Sequence, residues 1–563
     1  MATRFSSQLH TNYVPSDKER AEIRHLLVEP RVRLREIEKQ IEELEAERAK
    51  LSTHIDAHEA LISPMRRLPE DVLQEIFLRC LPSHRNPAMS SLEAPVLLGR
   101  ICREWRMLAF ATPALWARIH IVEPLGYHRS AERSTASRTA KVLQFVEAAR
   151  GWLERSGRCP LSISFEHEHG DDFLAADESD GPSALLQLVL QHSFHWQGIE
   201  LSFPPLSRGN SGRNTLQELV KLDPSSVPML KSFRLERTDW SSVSEDFRWK
   251  SMRLLHVTHL ERLGLAFRGS FGDIKMLPVH WEHLISLDIS LSNGPQLQAS
   301  PLEILSILNL CSALQTLRLE QWTQLVPVGL LAPAQAAPAT PQTAGALCPE
   351  LKSLEISHSP QLLSYISCPQ LRELDLVGHW YEYSGNPNNA PDTEQLLQVM
   401  PTYGLLEKFR YSVVRSGPHP SLAVVFEELP PTLKELEIFE NPADPQITDD
   451  FIMLLATRCP QLEKLIVRGC ALLSVDGIVA FLNSQNPHGA GPFRHLRVHY
   501  TVEPEVTLEQ FKARVRAFID MGITITFTAA GNGRLQFAPF QGLSLTRAES
   551  RIVYPPWSPE DEE

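Results

Sequence analysis

The segment Leu433-Lys434-Glu435-Leu436-Glu437-Ile438 follows the pattern Leu-x-x-Leu-x-Leu, in which other apolar residues can replace a leucine. The pattern occurs ten times, beginning at Leu230, Leu260, Leu284, Leu314, Leu351, Leu371, Leu406, Leu433, Leu462 and Phe493. The starting positions lie 20 to 37 residues apart. A pattern repeated at this spacing predicts stacked structural units, because no single unit can bury its apolar face alone.

Each repeat is expected to contribute one short strand with inward-pointing leucines, and helices are expected to cover the outside at 448–457 and 507–521. Residues 161–165 and 199–203 are predicted to be further strands. The C-terminal part predicts a last strand, a turn around Asn532 and a return strand. The repeats resemble leucine-rich repeats, and this resemblance implies an irregular solenoid shaped like a horseshoe. We assign the solenoid to residues 141–545.

Composition limits the classes of function. Hydrophobic residues make up 43% of the chain and charged residues 22%, which excludes global disorder. The net charge of −13 gives no general reason to bind nucleic acid or an anionic membrane. The N-terminus has no signal-peptide core and no apolar run approaches 18 residues, so we expect an intracellular protein of the cytoplasm, the nucleus or both.

The N-terminal region, residues 1–62, predicts a helix with a heptad pattern. Because a proline inside a helix costs ~3 kcal/mol, Pro30 predicts a start near Arg31. The a and d positions of the heptads are Leu34, Ile37, Ile41, Leu44, Arg48, Leu51, Ile55, His58 and Ile62. Two interpretations remain open: a coiled coil that forms a homodimer, or a solvated helix that lies against the next domain.

Residues 63–121 predict a small helical domain. Leu68-Pro69-Glu70-Asp71 has the features of a helix start, because proline suits the first turn and acids favour the positive end of the helix dipole. An apolar stripe follows and ends at Pro82. After a polar loop, 83–95, a second amphipathic run extends from Val96 to Leu108, and the segment closes on Thr112-Pro113-Ala114-Leu115-Trp116.

This segment resembles an F-box. The resemblance rests on LPEDVLQEIFLRCLP at 68–82, ICREWRMLA at 101–109 and TPALW at 112–116, and the loop at 83–95 is longer than usual. The resemblance implies docking on the Skp-type adaptor of a Skp–cullin–F-box ubiquitin ligase. The positions that match the usual adaptor contacts are Leu68, Pro69, Ile76, Phe77, Ile101 and Trp105. A purely structural role in a helical core is the alternative for these residues.

Two segments are predicted to be disordered. Residues 327–347 are rich in alanine and proline, which indicates a loop extruded from one repeat. The tail, 546–563, ends in proline-rich and then acidic sequence.

The residues that flank the second leucine of each repeat are predicted to face the concave side, because side chains alternate along a strand. From Leu351 onward five of them are acidic, and Lys408 and Arg410 are basic. We therefore expect a mildly acidic, substrate-facing strip that prefers a basic partner, formed by Glu355, Glu373, Asp375, Glu435 and Glu437. Earlier repeats add Arg234, Arg262, Asp288 and Arg318. The alternative is that these charges only keep the face soluble.

No motif in the sequence supports catalysis or a cofactor. His167-x-His169, with its acidic neighbours, suits a solvated loop as well as a metal site, so we assign no metal. Gly531-Asn532-Gly533 lacks the third glycine of a dinucleotide site and predicts a turn. The eight cysteines form no CxxC pair and are too sparse for a disulfide scaffold. Four precede repeats, which indicates small packing residues: Cys311, Cys348, Cys368 and Cys459.

The sequence thus predicts an α/β protein with a coiled-coil-like helix, a small all-α F-box and a leucine-rich-repeat solenoid. The expected function is substrate recognition in a ubiquitin ligase: the F-box binds a Skp-type adaptor and through it a cullin, and the repeats bind a protein substrate. The chain itself is expected not to be an enzyme. The alternatives are a repeat scaffold outside any ligase, dimerised by the N-terminal helix, and an enzyme with an unrecognised site that includes His167 and His169.

Overall fold

A computed structural model describes sixteen ranges of the chain: 5–6, 8–9, 11–123, 135–167, 183–202, 218–238, 251–267, 274–293, 301–323, 345–357, 360–376, 393–412, 422–440, 445–486, 491–500 and 508–529. The chain divides into two compact units, residues 1–76 and 77–563.

The first unit contains helix α1, Asp17–Ile62, which runs through Pro30. The predicted start near Arg31 was therefore wrong. Residues 17–29 are mostly strong helix formers such as Glu, Lys, Arg, Ala and Leu, and their preference outweighs the bond lost at the proline. The start is fixed at Ser16, whose backbone N–H donates to Glu19 Oε2 at 2.9 Å. Most of the helix surface is exposed.

Helix α2, Glu70–Arg79, begins where Leu68-Pro69 predicted, and the boundary between the two units falls inside it. The second amphipathic run forms two helices rather than one: α3, Leu98–Ile101, and α4, Arg103–Phe110. The break lies at Cys102, whose backbone is extended and whose Sγ accepts the Trp105 N–H at 3.4 Å as the cap of α4. Residues Pro113–Trp116 form a 3-10 turn.

Within the described ranges, the second unit contains one sheet of fourteen parallel strands, which lie side by side in chain order. The strands are β1 Arg118–Glu123, β2 Leu161–His167, β3 Trp196–Ser202, β4 Ser232–Thr238, β5 Arg262–Phe267, β6 Ser286–Asn293, β7 Thr316–Thr323, β9 Ser353–Ser357, β11 Glu373–Leu376, β12 Lys408–Ser412, β13 Glu435–Phe439, β14 Lys464–Cys470, β15 His495–Tyr500 and β16 Thr524–Ala529. A separate parallel pair joins β8, Ala346–Leu347, to β10, Ile366–Ser367. All ten repeats predicted from the sequence form strands, as do the predicted segment at 161–165 and the described part of the segment at 199–203, which extends to Ser202. The predicted last strand corresponds to β16.

Helices connect many of the strands. They are α5 Thr135–Arg155, α6 Ala184–Gln191, α7 Pro301–Leu308, α8 Thr393–Val399, α9 Leu422–Glu427, α10 Asp449–Arg458, α11 Val475–Gln485 and α12 Leu508–Asp520. The predicted outer helices at 448–457 and 507–521 correspond to α10 and α12 and are confirmed. The observed class is mixed α/β, with a long N-terminal helix and an array of parallel strands.

The register explains why the leucines recur. Leu436 lies opposite Leu465, and Leu465 lies opposite Leu496, so that equivalent apolar residues form continuous buried rows across the sheet. Each such residue loses its contact with water only when the neighbouring strand is present. The four cysteines that precede repeats are buried, as predicted for small packing residues. Burial raises the pKa of the Cys348 thiol to about 11, so this cysteine stays a neutral thiol.

Two predicted boundaries need correction. The sheet begins at β1, inside the range assigned to the F-box and ahead of residue 141. Strand β1 pairs with β2, although the sequence of β1, RIHIVE, lacks the repeat pattern. Ala346 and Leu347, at the end of the insertion predicted at 327–347, form strand β8 instead of a disordered loop, because Ala346 is buried and pairs with Ile366.

Several predictions lie outside the described residues. They concern the remainder of the insertion, His169 and its acidic neighbours, the turn around Asn532 with its return strand, and the tail at 546–563.

The loop at 83–95 is folded against the start of the sheet, which its polar composition did not predict. We call residues 82–95 the edge segment. The His120 N–H donates to Pro87 O at 2.8 Å, and Ala88 forms a parallel bridge with His120. The buried Asn86 side chain donates to Ser164 Oγ at 3.2 Å and accepts from Ser162 Oγ at 3.0 Å. The edge segment therefore covers the outer side of β1.

Candidate functional site

The predicted adaptor-binding residues fall in both units. In the first unit, Leu68 and Ile76 are half-buried and Pro69 is exposed. Leu68 and Pro69 directly precede α2, and the Pro69 carbonyl accepts the Leu73 N–H at 3.1 Å, which starts the helix. Proline suits this position because its missing N–H would have no partner inside the helix.

In the second unit, Phe77 is fully buried and its ring packs against Trp105, with ring centroids 4.9 Å apart. Phe77 thus fills the core of the helical segment, which is the structural role given as the alternative for these residues, and its contact with an adaptor stays a prediction. An aromatic ring at this point of a small helical segment contributes more by filling the core than it could at a surface. Trp105 is half-buried, whereas Ile101 is 57% exposed.

Three more apolar residues on this helical segment are exposed. Leu97 lies four residues before Ile101, and Met107 lies three residues before Phe110, so each pair shares one helix face. Met107 is 62% exposed. Helix α4 is tied to α3 because Arg106 Nε donates to Gly99 O at 2.6 Å. The sequence placed Leu97 on an apolar face but gave no signal for Met107 and Phe110.

We call Leu97, Ile101, Met107 and Phe110 the apolar patch. Single exposed apolar residues are normal on protein surfaces, and these four are noted because Leu97 directly precedes α3 and the other three lie on α3 and α4, where another molecule could cover them. The Phe110 ring is partly covered already, because the Arg155 guanidinium lies 4.5 Å from its centroid.

A second candidate surface is the polar face of the sheet. One position per strand, the residue between the last two apolar residues of the repeat, forms a continuous row across neighbouring strands. We call it the charged row, and from β3 to β13 it consists of Glu200, Arg234, Gly264, Asp288, Arg318, Glu355, Asp375, Arg410 and Glu437. Parallel strands lie about 4.8 Å apart, which puts successive members within reach of one another.

Arg234 connects three strands. Its guanidinium lies 3.3 Å from Glu200 on β3 and 2.5 Å from Asp288 on β6. The contact with Asp288 passes over β5, where the row position is Gly264. A Cβ on Gly264 would lie 2.8 Å from Arg234 Cγ, so only glycine leaves this path open.

The five acids predicted to face a substrate each contact a basic side chain of a neighbouring strand. Glu355 lies 2.9 Å from Arg318, Glu373 lies 2.9 Å from Lys408, and Glu435 lies 3.0 Å from Lys464. Asp375 contacts Arg410. Glu437 lies 3.0 Å from Arg410 and 2.6 Å from Arg468.

These pairs change the expected charge of the strip. From β7 to β14, the polar-face positions that the structure describes carry six acids and five bases. The extra bases are Arg318, Lys464 and Arg468, of which the latter two were not counted in the sequence-based strip. The face is therefore close to neutral and internally paired, and a preference for basic partners stays a prediction.

Burial raises the pKa of two carboxyl groups of the charged row. It raises the pKa of Glu355 to about 7, although Arg318 acts in the opposite direction. It also raises the pKa of Glu200, against the effect of Arg234. For Arg234 itself, burial lowers the pKa, but Asp288, Glu236 and Glu200 outweigh it and hold the pKa above its usual range. Arg234 is thus a permanent cation, whereas Glu355 is only partly ionised at neutral pH.

Comparison with known proteins gives no family. No family model matches the chain, and no curated protein matches it in sequence. Among solved structures, the yeast complex of Rad7 and Elc1 is similar at 14% identity, covering 70% of this chain and 88% of that chain with a TM-score of 0.34. A Bacteroides fragilis protein is similar at 11% identity, covering 70% and 82%, with a TM-score of 0.27. Likenesses this distant indicate no partner or activity.

The length and hydropathy of the helices determine whether any of them could span a bilayer. Within the part of the chain that the structure describes, no helix is both long and apolar enough to cross a membrane.

Proposed function

We propose that this chain is the substrate-recognition subunit of a Skp–cullin–F-box type ubiquitin ligase. Residues 68–116 bind the Skp-type adaptor, which links the chain to a cullin, and the array of repeats binds a protein substrate. In this proposal the chain recruits and another subunit catalyses, so it needs no cofactor.

The observation that carries the proposal is the apolar patch. It lies in the segment whose sequence resembles an F-box, and Ile101 is one of the residues that the resemblance assigned to adaptor contact. A partner that removes these side chains from water gains ~25 cal/mol for each Å² of apolar surface. The other adaptor contacts in the proposal are Leu68, Pro69, Ile76, Phe77 and Trp105, and the rings of Phe77 and Trp105 also pack against each other.

The test is co-expression with a Skp-type adaptor and capture of the complex. Ile101→Glu is expected to weaken adaptor binding at least ~30-fold, since a central contact of this kind contributes about 2 kcal/mol. The double variant Leu68→Ala with Pro69→Ala should also lose capture. Leu472→Glu is the matched control, because Leu472 is similarly exposed, at 52%, but lies beyond β14.

The control should bind like the unchanged chain, and all variants should keep the same far-ultraviolet circular dichroism. Capture that is equal for Ile101→Glu and Leu472→Glu would contradict the proposal.

A second candidate function is a repeat scaffold outside any ligase, dimerised by α1. The observation in its favour is that seven apolar heptad residues are exposed on α1: Leu34, Ile37, Ile41, Leu44, Leu51, Ile55 and Ile62. A second copy in parallel register would cover them, although Arg48 and His58 weaken the seam. Light scattering should then give twice the chain mass, reduced to one by Ile41→Glu with Leu44→Glu and unchanged by Ala46→Glu at an outer position.

A further inference from the structure

A short histidine cluster lies on the turns that precede β5 and β6. His256 ends the 3-10 turn Arg253–His256, and His280 directly precedes the 3-10 turn Trp281–His283. Trp281 is buried and fixes this second turn, while Glu282 and His283 are exposed. The local sequence is therefore His-x-Glu-His, which is shorter than the common metal-binding motifs.

We propose that His280, Glu282 and His283 form a binding site for a zinc-class divalent transition-metal ion. Their potential ligand atoms all lie within 4.8 Å of one another, and within the described ranges this is the one group of three or more His, Cys, Asp or Glu side chains that meets this criterion. Two imidazoles and one carboxylate are a ligand set that Zn²⁺ accepts while a fourth position stays open.

The geometry requires only small side-chain movements. Ligand bonds of ~2.0–2.1 Å in a tetrahedron put the ligand atoms about 3.3 Å apart. His280 Nδ1 already lies 3.5 Å from Glu282 Oε1. The other distances between potential ligand atoms are at most 4.8 Å and must shorten to about 3.3 Å. Rotation of the exposed side chains of Glu282 and His283 can shorten them.

The His283 ring is hydrogen-bonded to the preceding turn. Its Nδ1 lies 2.8 Å from Thr258 O, so Nδ1 carries the proton and donates, and Nε2 keeps its lone pair for a metal. A backbone carbonyl in this role is the usual outer support of a metal-binding histidine. The His256 ring stacks on His280 with centroids 4.8 Å apart, which limits the rotation of that imidazole.

The class of metal follows from the ligands. Imidazole nitrogen favours Zn²⁺, Co²⁺, Ni²⁺ and Cu²⁺ over Mg²⁺ and Ca²⁺, which prefer oxygen. A site on one turn with an open fourth position is also accessible to a side chain of a bound protein. The proposal is independent of the adaptor-binding function, since none of its residues belongs to the apolar patch.

The experiment is calorimetric titration of the untagged full-length chain with Zn²⁺, with Co²⁺ absorption as a second readout. His280→Gln with His283→Gln should lower the bound Zn²⁺ by one equivalent and remove the visible band of tetrahedral Co²⁺. Glu282→Gln should keep the stoichiometry but weaken binding at least about tenfold. Mg²⁺ should not compete.

The matched control is His54→Gln with His58→Gln on α1. The rings of these two histidines also lie close together, with centroids 4.2 Å apart, but tilted against each other. In this variant the tetrahedral Co²⁺ band should persist. Equal Zn²⁺ stoichiometry in the unchanged chain and in His280→Gln/His283→Gln, or a Co²⁺ spectrum dominated by thiolate bands, would overturn the proposal. Unchanged circular dichroism without metal separates loss of ligands from loss of fold.

Discussion

On helices α3 and α4, Ile101 and Met107 expose more than half of their surface, whereas on the polar face of the sheet Arg410 contacts both Asp375 and Glu437. The apolar patch therefore presents apolar surface that another molecule can cover. The charged row, in contrast, satisfies its members within the chain. A partner gains free energy by covering the first surface, but must separate or match existing ion pairs to bind the second.

This difference indicates where affinity and where selectivity arise. Burial of apolar side chains is non-directional and contributes strongly to affinity. A paired row of charges offers little free charge and favours only partners whose groups fit its order. The following predictions test this contrast, from the largest expected effect to the smallest.

The largest effect is expected at the core beneath the apolar patch. Phe77→Ala removes the ring that packs on Trp105 and should destabilise the helical segment by about 3–5 kcal/mol. Hydrogen exchange should show lost protection across 77–110. Phe409→Ala, which empties an equally buried site in β12, is the matched control and should leave 77–110 protected. Equal loss of protection in both variants would mean that the two regions do not unfold separately.

The next effect is expected within the charged row. Arg410→Leu leaves Asp375 and Glu437, which are 16% and 13% exposed, without their shared cation. The free energy of unfolding should fall by about 2 kcal/mol, less than for a fully buried pair because these groups retain some water. Replacing all three residues by leucine should recover more than half of the loss. A lower free energy of unfolding for the triple variant than for Arg410→Leu would show that the ion pairs are net stabilising.

A pH-dependent effect is expected at Glu355. Its pKa of about 7 in the folded chain is above the ~4.3 of an unfolded glutamate. The folded state thus favours the protonated carboxyl, whose contribution to stability is full below about pH 4 and is lost as pH rises through about 7. Glu355→Gln should therefore gain stability relative to the unchanged chain across this window, by about 1 kcal/mol after solvent screening. Glu350→Gln, at an exposed site of the same repeat, should show no such trend in denaturation midpoints.

The smallest effect is expected at Lys408. This residue lies between Glu373 and Glu435, and all three side chains are 37–47% exposed. Lys408→Met should change the free energy of unfolding by less than about 1 kcal/mol, because exposed pairs are screened and cost side-chain entropy. A larger change in urea denaturation would show that Lys408, Glu373 and Glu435 act as one cooperative network.

The repeat strands were predictable because their information is local. Each Leu-x-x-Leu-x-Leu segment specifies a strand and the face that it buries, so the ten strands and their order follow from the pattern. Strand β1 was missed because RIHIVE is recognisable only through its pairing with β2 and the edge segment. The early start of α1 was missed because one proline was given more weight than residues 17–29, which are mostly strong helix formers.

The candidate surfaces were predictable in part. The sequence located Ile101 and the five acids, but not that every acid would contact a base 27 to 37 residues away. Such pairs depend on the register between neighbouring strands. Because the repeats differ in length, this register cannot be read from the sequence. Phe77 was assigned to an interface because its motif does not distinguish a core ring from a surface ring. Only the packing on Trp105 does so.

The edge segment has a consequence for how this protein can be divided. A fragment that begins at β1 would lack Pro87 and Ala88, and the outer N–H and C=O groups of the first strand would be open to other chains. Such a fragment is expected to self-associate edge to edge. The helical segment and the repeats are therefore not interchangeable modules, because the fourteen residues of the edge segment, which lie between α2 and α3, pair with the first strand of the sheet.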